Sequence, residues 1–174
     1  PYKSFPFIAN NFELAGIIPI NDLFHDRIFP YSELVGNNLE ITETTAGNGI
    51  TKVFVASPSA QITYKEGMPI FIYRVHTGNG QKAYKSAITS YCTISKMTVI
   101  KRNGISEISL KDYLRLTGNK SVYTTEELTE LYNKRNNLII IEMVYNGYFG
   151  KGHNVIYKEL KDNKLFESYP YSIV

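Results

Sequence analysis

Three short runs constrain this chain most. Ile50-Thr51-Lys52-Val53-Phe54-Val55-Ala56-Ser57, then Tyr64 to Val75, then Ala87 to Ile94 are each rich in β-branched and aromatic residues, the composition of strands packed on a pleated, half-buried surface. A turn carrying Gly67 precedes the second run, and Thr77-Gly78-Asn79-Gly80-Gln81-Lys82 follows it. Asn-Gly tolerates the positive φ that tight hairpins need, so the strands of Phe71 and Ile88 are expected to pair antiparallel. The third strand is expected to run on to Ile100, where Lys101-Arg102-Asn103-Gly104 supplies the next turn and a small basic cluster. A later run, Leu138 to Val144, is almost wholly apolar and reads as a buried strand. Strands near residues 50 to 57, 68 to 75, 84 to 99 and 138 to 145 are thus expected in one mixed or antiparallel small barrel. The fold class is mixed α/β (α+β), mainly β.

Two helices are expected outside that barrel, at 109 to 117 and 124 to 135. Ser109 is placed to cap the first, Leu110, Tyr113, Leu114 and Leu116 give it one apolar face, and Gly118 ends it. Thr124 with Glu127 three residues on forms a capping box for the second, whose stripe is Leu128, Leu131 and Tyr132. A short helix is expected from Tyr157 to Lys161, ahead of an aromatic tail at Tyr169-Pro170-Tyr171. At the other end, Phe5 to Ile8 reads as a strand and Ile17 to Phe24 as a short connector or helical turn, in a region that Pro30 closes. The Asn-, Thr- and Gly-rich stretch from Gly36 to Gly49 reads as an exposed excursion.

A length of 174 residues, 43% hydrophobic and 20% charged, suits one domain over the whole chain, 1–174. The first residue is Pro1, and the chain is expected to be a fragment of a longer protein. A net charge of +3 is too small to announce a nucleic-acid binder by itself. No apolar stretch reaches the roughly 20 residues of a membrane span. With a single cysteine, Cys92, no internal disulfide can form, and a reducing, cytoplasmic setting is expected.

Fourteen Tyr and nine Phe without Trp make tyrosine the residue type to follow. Tyr73 and Arg74 end the central strand just before a glycine-rich turn, where side chains of neighbouring strands converge at a barrel rim. A ligand pocket is expected there, with Asn48 and Lys52 on one side and Thr89 or Tyr91 on the other. Arg74 can fork a phosphate or a base edge, or equally an acidic side chain of its own protein. Alternation puts Tyr73 and Arg74 on opposite faces unless a bulge intervenes. Lys101 and Arg102 are candidate phosphate contacts.

In this order, the segments that carry Pro19-Ile20 with Leu23-Phe24, Asn48 with Lys52-Val53-Phe54-Val55, Gly67 to Arg74, and Tyr123-Thr124 with Glu126-Glu127-Leu128 resemble the PUA-like superfamily (PUA, ASCH, EVE and YTH domains). The likeness is greatest to the PUA-like domain found beside bacterial GNAT acetyltransferase domains. That resemblance implies a β-barrel with helices on its outside and a concave ligand site between the barrel strands. It also implies a fused or associated acetyltransferase domain. The basic residues Lys52, Arg74, Lys82, Lys85, Lys96, Lys101 and Arg102, interleaved with Phe54, Phe71, Tyr73, Tyr84 and Tyr91, make RNA, DNA or a modified base the expected partner. The chain lacks the tryptophan cage of the YTH type and the Gly-x-Lys-x-x-Glu-x-Arg run of the ASCH type.

Catalytic patterns are weak by comparison. His25, His76 and His153 have no second ligand at metal spacing, and His25-Asp26 reads as a polar turn. Gly147 to His153 lacks the Gly-Lys-Ser/Thr ending of a phosphate loop. The chain is therefore read as a non-catalytic binding domain without cofactor or metal. The alternatives are a protein-interaction or scaffold domain and an enzyme acting on a small nucleotide-like molecule.

Overall fold

The computed structural model describes residues 15–32, 45–59 and 64–166. The expected strand at Phe5 to Ile8, most of the excursion from Gly36 to Gly49, and the tail Tyr169-Pro170-Tyr171 lie outside the described residues.

In chain order the elements are β1 (Gly16–Asn21), α1 (Asp22–Ile28), α2 (Thr45–Asn48), β2 (Thr51–Ala56), β3 (Pro69–Val75), α3 (Lys82–Lys85), β4 (Ala87–Arg102), β5 (Ile105–Ser106), α4 (Leu110–Thr117), α5 (Thr125–Lys134), β6 (Leu138–Tyr148), β7 (Val155–Ile156) and α6 (Tyr157–Asp162). All strands belong to one sheet of order β1-β3-β4-β6-β2, with the short β5 and β7 added to β4. β1 pairs parallel with β3, and the other pairs are antiparallel. The sheet is mixed and curled, and it is a half-barrel rather than a closed one because β1 and β2, the ends of this order, do not pair with each other.

The curl has a visible cause in β4, which spans the sheet with 16 residues. Its pairing shifts by one residue opposite Ile72/Tyr73, at Ile94/Lys96 and at Val99/Lys101, and β6 adds a shift opposite Tyr91/Cys92. Each bulge bends the strand and increases its right-handed twist. Each of the two outermost described strands makes a hydrogen bond with a tyrosine hydroxyl. Tyr64 donates to the Ile17 carbonyl of β1 at 2.5 Å, and the Tyr123 hydroxyl accepts from Val55 N–H of β2 at 3.4 Å.

Alternation sorts the apolar residues onto two faces. Ile18 and Ile20, Val53 and Val55, Ile70 and Ile72, Cys92 and Ile94, and Ile141 and Met143 point inward to the main core. Tyr113, Val122, Tyr123 and Leu128 close that core from α4, α5 and the segment between them. On the opposite face Ile17, Tyr73 and Ile88 meet Leu160 of α6 and Phe166.

Both capping expectations hold. Ser109 accepts from Asp112 N–H at the start of α4, and Thr124 and Glu127 form a reciprocal capping box on α5. Asn103 and Gly104 both take positive φ, 51° and 83°, and form the two-residue turn that pairs β5 with β4. The segment read as a connector, Ile17 to Phe24, is instead strand β1 followed by helix α1, with the Asn21 side chain as N-cap. Pro19 does not break β1, because among the described residues the strand pairs on one side only, with β3. The link from β3 to β4 also departs from a simple hairpin. It holds the helical turn α3, and β4 starts at Ala87 rather than near residue 84.

Candidate functional site

Chain direction brings one set of strand ends together: the C-terminal ends of β1, β3 and β6 and the N-terminal ends of β2 and β4. α1 leaves β1 at this rim and packs back across it, burying His25 and Ile28. Its polar side chains reach the neighbouring elements through hydrogen bonds and ion pairs. Asp26 takes a fork from Arg74, Nε and Nη2 each at 2.8 Å, while Arg74 Nη1 donates to the Lys85 carbonyl at 3.2 Å. Asp22 accepts from the Thr77 hydroxyl at 2.6 Å and lies 2.8 Å from His76 Nδ1. Arg27 forks Glu127 at 2.7 and 3.0 Å and also donates to the Val122 carbonyl.

These partners set the charges. Burial works to raise the Asp26 carboxyl, but the Arg74 fork and His25 outweigh it and hold it at about 2. Burial likewise opposes ionisation of Asp22, yet hydrogen bonds from Thr77 and His76 and the charge of Arg74 leave it below the usual carboxylate range. Burial pushes the His25 imidazole down against the pull of Asp26, which favours the neutral ring. With Asp26 an anion, His25 Nδ1–H donates to it at 2.8 Å, and Nε2 accepts from the Thr89 hydroxyl at 2.7 Å.

The chain Asp26-His25-Thr89 has the connectivity of a base-activated hydroxyl. Thr89 and His25 are nevertheless 0% exposed, so no face of the hydroxyl is open to a substrate. The chain is a brace between α1 and β4. Thr89 is the extra residue of the bulge opposite Ile72/Tyr73, and that bulge aims its side chain at α1. The hydroxyl chain continues through Ser90, 3.4 Å from Thr89, to the phenol of Tyr145.

Beside Tyr145 stands Lys52, 5% exposed. Its ammonium lies 5.7 Å from the Phe29 ring centre and 5.3 Å from that of Tyr145, and it donates to the Gly47 carbonyl of α2. Burial lowers it to about 8. The neighbouring thiol of Cys92 is pushed up by burial and stays neutral. Asn48, next along from Gly47, is exposed. The fold therefore gathers Asn48, Lys52, Arg74 and Thr89 of the expected site at one rim.

The other expected residues lie elsewhere. Tyr73 and Arg74 do face opposite ways, because the bulge falls on β4 and leaves β3 in register with itself. Tyr73 packs edge-on against Phe166 at 4.9 Å. Tyr91 lies on the same outer face, 5.9 Å from Phe149, which in turn stacks on Phe71 at 6.3 Å. Lys101 and Arg102 sit at the far end of β4, 12 and 13 residues beyond Thr89, or about 40 Å of strand path at about 3.3 Å per residue. Lys101 donates to the Tyr132 carbonyl at 2.9 Å, and Arg102 pairs with Glu107 at 3.1 Å.

Sequence reading missed His25, Asp26, Phe29 and Tyr145. The His25-Asp26 pair, read as a polar turn, is on helix α1. One signal was available: Asp22 and Asp26, like His25 and Phe29, are four residues apart, the spacing that shares a helix face. Tyr91 depends on Gly147, where a Cβ would come within 2.7 Å of its hydroxyl. Gly147→Ala is expected to tilt Tyr91 away from Phe149 and to cost about 1 kcal/mol in urea unfolding, the low end of overpacking effects, because the tip of a half-buried ring can yield.

Among the described residues no group of three His, Cys, Asp or Glu side chains is placed to hold a metal. Among them, too, no helix is long and apolar enough to cross a membrane. No protein-family model matches the chain, and no sequence among the curated proteins does. Among solved structures, the crystal structure of ASCH from Zymomonas mobilis superposes with a TM-score of 0.50 and 8% identity, over 92% of this chain and 85% of that one. At that identity the likeness is one of fold: a strand-rich ASCH/PUA-like half-barrel with helices outside. The chain matches this fold without the Gly-x-Lys-x-x-Glu-x-Arg run.

Proposed function

We propose that the chain is a non-catalytic domain that recognises nucleic acid or a modified nucleobase at the rim formed by Asn48, Lys52, Arg74 and Thr89. The observation that carries this reading is Lys52, a nearly buried cation over the rings of Phe29 and Tyr145 at the mouth of an ASCH/PUA-like half-barrel. A cation beside aromatic faces suits a ligand that combines flat rings with polar edges.

Within this reading Arg74 and Thr89 hold the rim in shape, since the guanidinium is already occupied by Asp26 and the Lys85 carbonyl. Tyr73 supports the rim from the outer face. Tyr91, Phe149 and Phe71 offer a partly open aromatic row on that face, and Lys101 and Arg102 supply phosphate contacts to a polymer long enough to reach the far end of β4. The domain would act in the bacterial cytoplasm as the recognition module of a larger protein, with an acetyltransferase as its fused or associated partner.

Titration with single-stranded and duplex RNA and DNA at two salt concentrations tests the reading. Saturable binding is expected at low salt. Arg102→Ala is expected to weaken binding to every sequence alike and to lower the salt slope by about one. If none of the polymers binds saturably at low salt, the reading fails and a protein-interaction domain takes its place.

A further inference from the structure

The rim treats its cations unequally. Arg74, with 6% of its side chain exposed, is forked by Asp26, and Arg27 is forked by Glu127. Lys52 is as buried as Arg74 and has no carboxylate partner among the described residues. Among the described residues the groups that face it are the Gly47 carbonyl from α2, the Phe29 ring after α1, the Tyr145 ring from β6 and the Cys92 thiol from β4. Not one of them is an anion at neutral pH, since burial keeps both the thiol and the phenol protonated.

A buried ammonium without a counter-ion is costly to keep. One donor goes to the Gly47 carbonyl, which leaves two of the three that an ammonium carries. Asn48, the next residue in the chain after Gly47, is exposed. A site that pairs its two arginines with carboxylates and leaves this ammonium without one among the described residues is built to receive the missing charge from a ligand.

From this geometry we infer that Lys52 is the docking point for an anionic group, a phosphate or a carboxylate, carried by the ligand of the rim. The inference rests on the reading that the rim is the ligand site, and it adds that the ligand must itself be negatively charged at the point of contact. A neutral base or nucleoside would leave the ammonium unpaired and would bind poorly.

The test follows the Lys52 side chain itself. Protein carrying 13Cε-labelled lysine is titrated with pH by NMR, with Lys52→Met identifying the Lys52 signal by its loss. The titration is repeated with inorganic phosphate, acetate, adenosine 5′-monophosphate, adenosine and a single-stranded oligonucleotide. By linkage, a ligand that needs the ammonium raises its midpoint, and a rise of one pH unit corresponds to about tenfold tighter binding to the protonated form. We expect the midpoint, near 8 in the free protein, to rise by at least one unit with the monophosphate. Phosphate and acetate identify which anion serves, and adenosine should leave the midpoint unmoved.

Some outcomes separate this inference from the nucleic-acid reading. If the monophosphate or an inorganic anion raises the midpoint while no polymer binds, the anion site stands and the polymer reading fails. If the oligonucleotide binds and the midpoint stays put, the polymer reading stands and the anion site is overturned. An unmoved midpoint with every probe, or a rise with adenosine equal to that with its monophosphate, also overturns the inference.

Discussion

Arg74→Met is expected to destabilise the protein by about 3 kcal/mol in urea unfolding at pH 7, a larger loss than any single packing change considered above. Replacing the guanidinium leaves the Asp26 carboxylate without its fork, 2.8 Å from His25 and with only 29% of its side chain in solvent. Removing one partner of a buried pair typically costs about 3 to 5 kcal/mol, and the exposed edge of Asp26 places this case at the low end. Adding Asp26→Asn should recover part of the loss, because the uncompensated charge then disappears.

The same pair sets the acid limit. Asp26 sits at about 2 in the folded protein against about 3.9 in an unfolded chain. A depressed carboxyl contributes stability that is present above pH 4 and is lost as the pH falls towards 2. With solvent screening at its exposed edge, the contribution is about 2 kcal/mol. Wild type should show that loss and Arg74→Met should not. An Arg74→Met protein within 1 kcal/mol of wild type at pH 7 would show that the fork contributes little.

Lys52→Met is expected to act in the opposite direction. A lysine lowered from its ordinary value to about 8 destabilises the folded state while it is charged. That cost is present in full below pH 8 and is relieved as the pH rises from 8 towards 10.5, where the unfolded chain holds more protons than the folded one. The variant, which keeps the volume and loses the charge, should be more stable than wild type at pH 7 in the absence of ligand. The gap should narrow by about 2 kcal/mol between pH 7.5 and pH 10. Above pH 10 both proteins lose stability alike, because Tyr113, Tyr123 and Tyr145 are raised by burial and their titration in the unfolded chain favours unfolding. Chemical denaturation of the two proteins at several pH values measures the gap, and a variant less stable than wild type at pH 7 would mean that the ammonium is satisfied where it sits.

The two substitutions probe neighbouring cations of one rim, and the opposite signs expected for them come from partners far away in sequence. Arg74 meets Asp26 across 48 positions, and Lys52 meets Tyr145 from β2 to β6. Local pattern carries no trace of either meeting.

Much of the rest was legible from local pattern alone. The runs that became β2, β3, β4 and β6 announce themselves through β-branched composition and the alternation of residues such as Ile70 and Ile72. The helices α4 and α5 are bounded by caps that act over three residues, Ser109 with Asp112 and Thr124 with Glu127. The turn at Asn103-Gly104 follows from the φ that its two residues tolerate. These signals are short-ranged, and so they survive in the sequence.

What the tertiary structure decided was longer-ranged. Ile17 to Phe24, read locally as a connector or helical turn, becomes strand β1 and helix α1 only through pairing with β3, far along the chain, with β1 the outermost of the described strands. Thr89 becomes a partner of His25 only because the bulge on β4 turns it towards α1, and the same bulge, by sparing β3, sends Tyr73 and Arg74 to opposite faces. The isolation of Lys52 is the clearest case. With 19 basic and 16 acidic residues in the chain, composition offers nearly one carboxylate for every cation, and only the register of the strands and the docking of α1 determine that Asp26 reaches Arg74 while none among the described residues reaches Lys52.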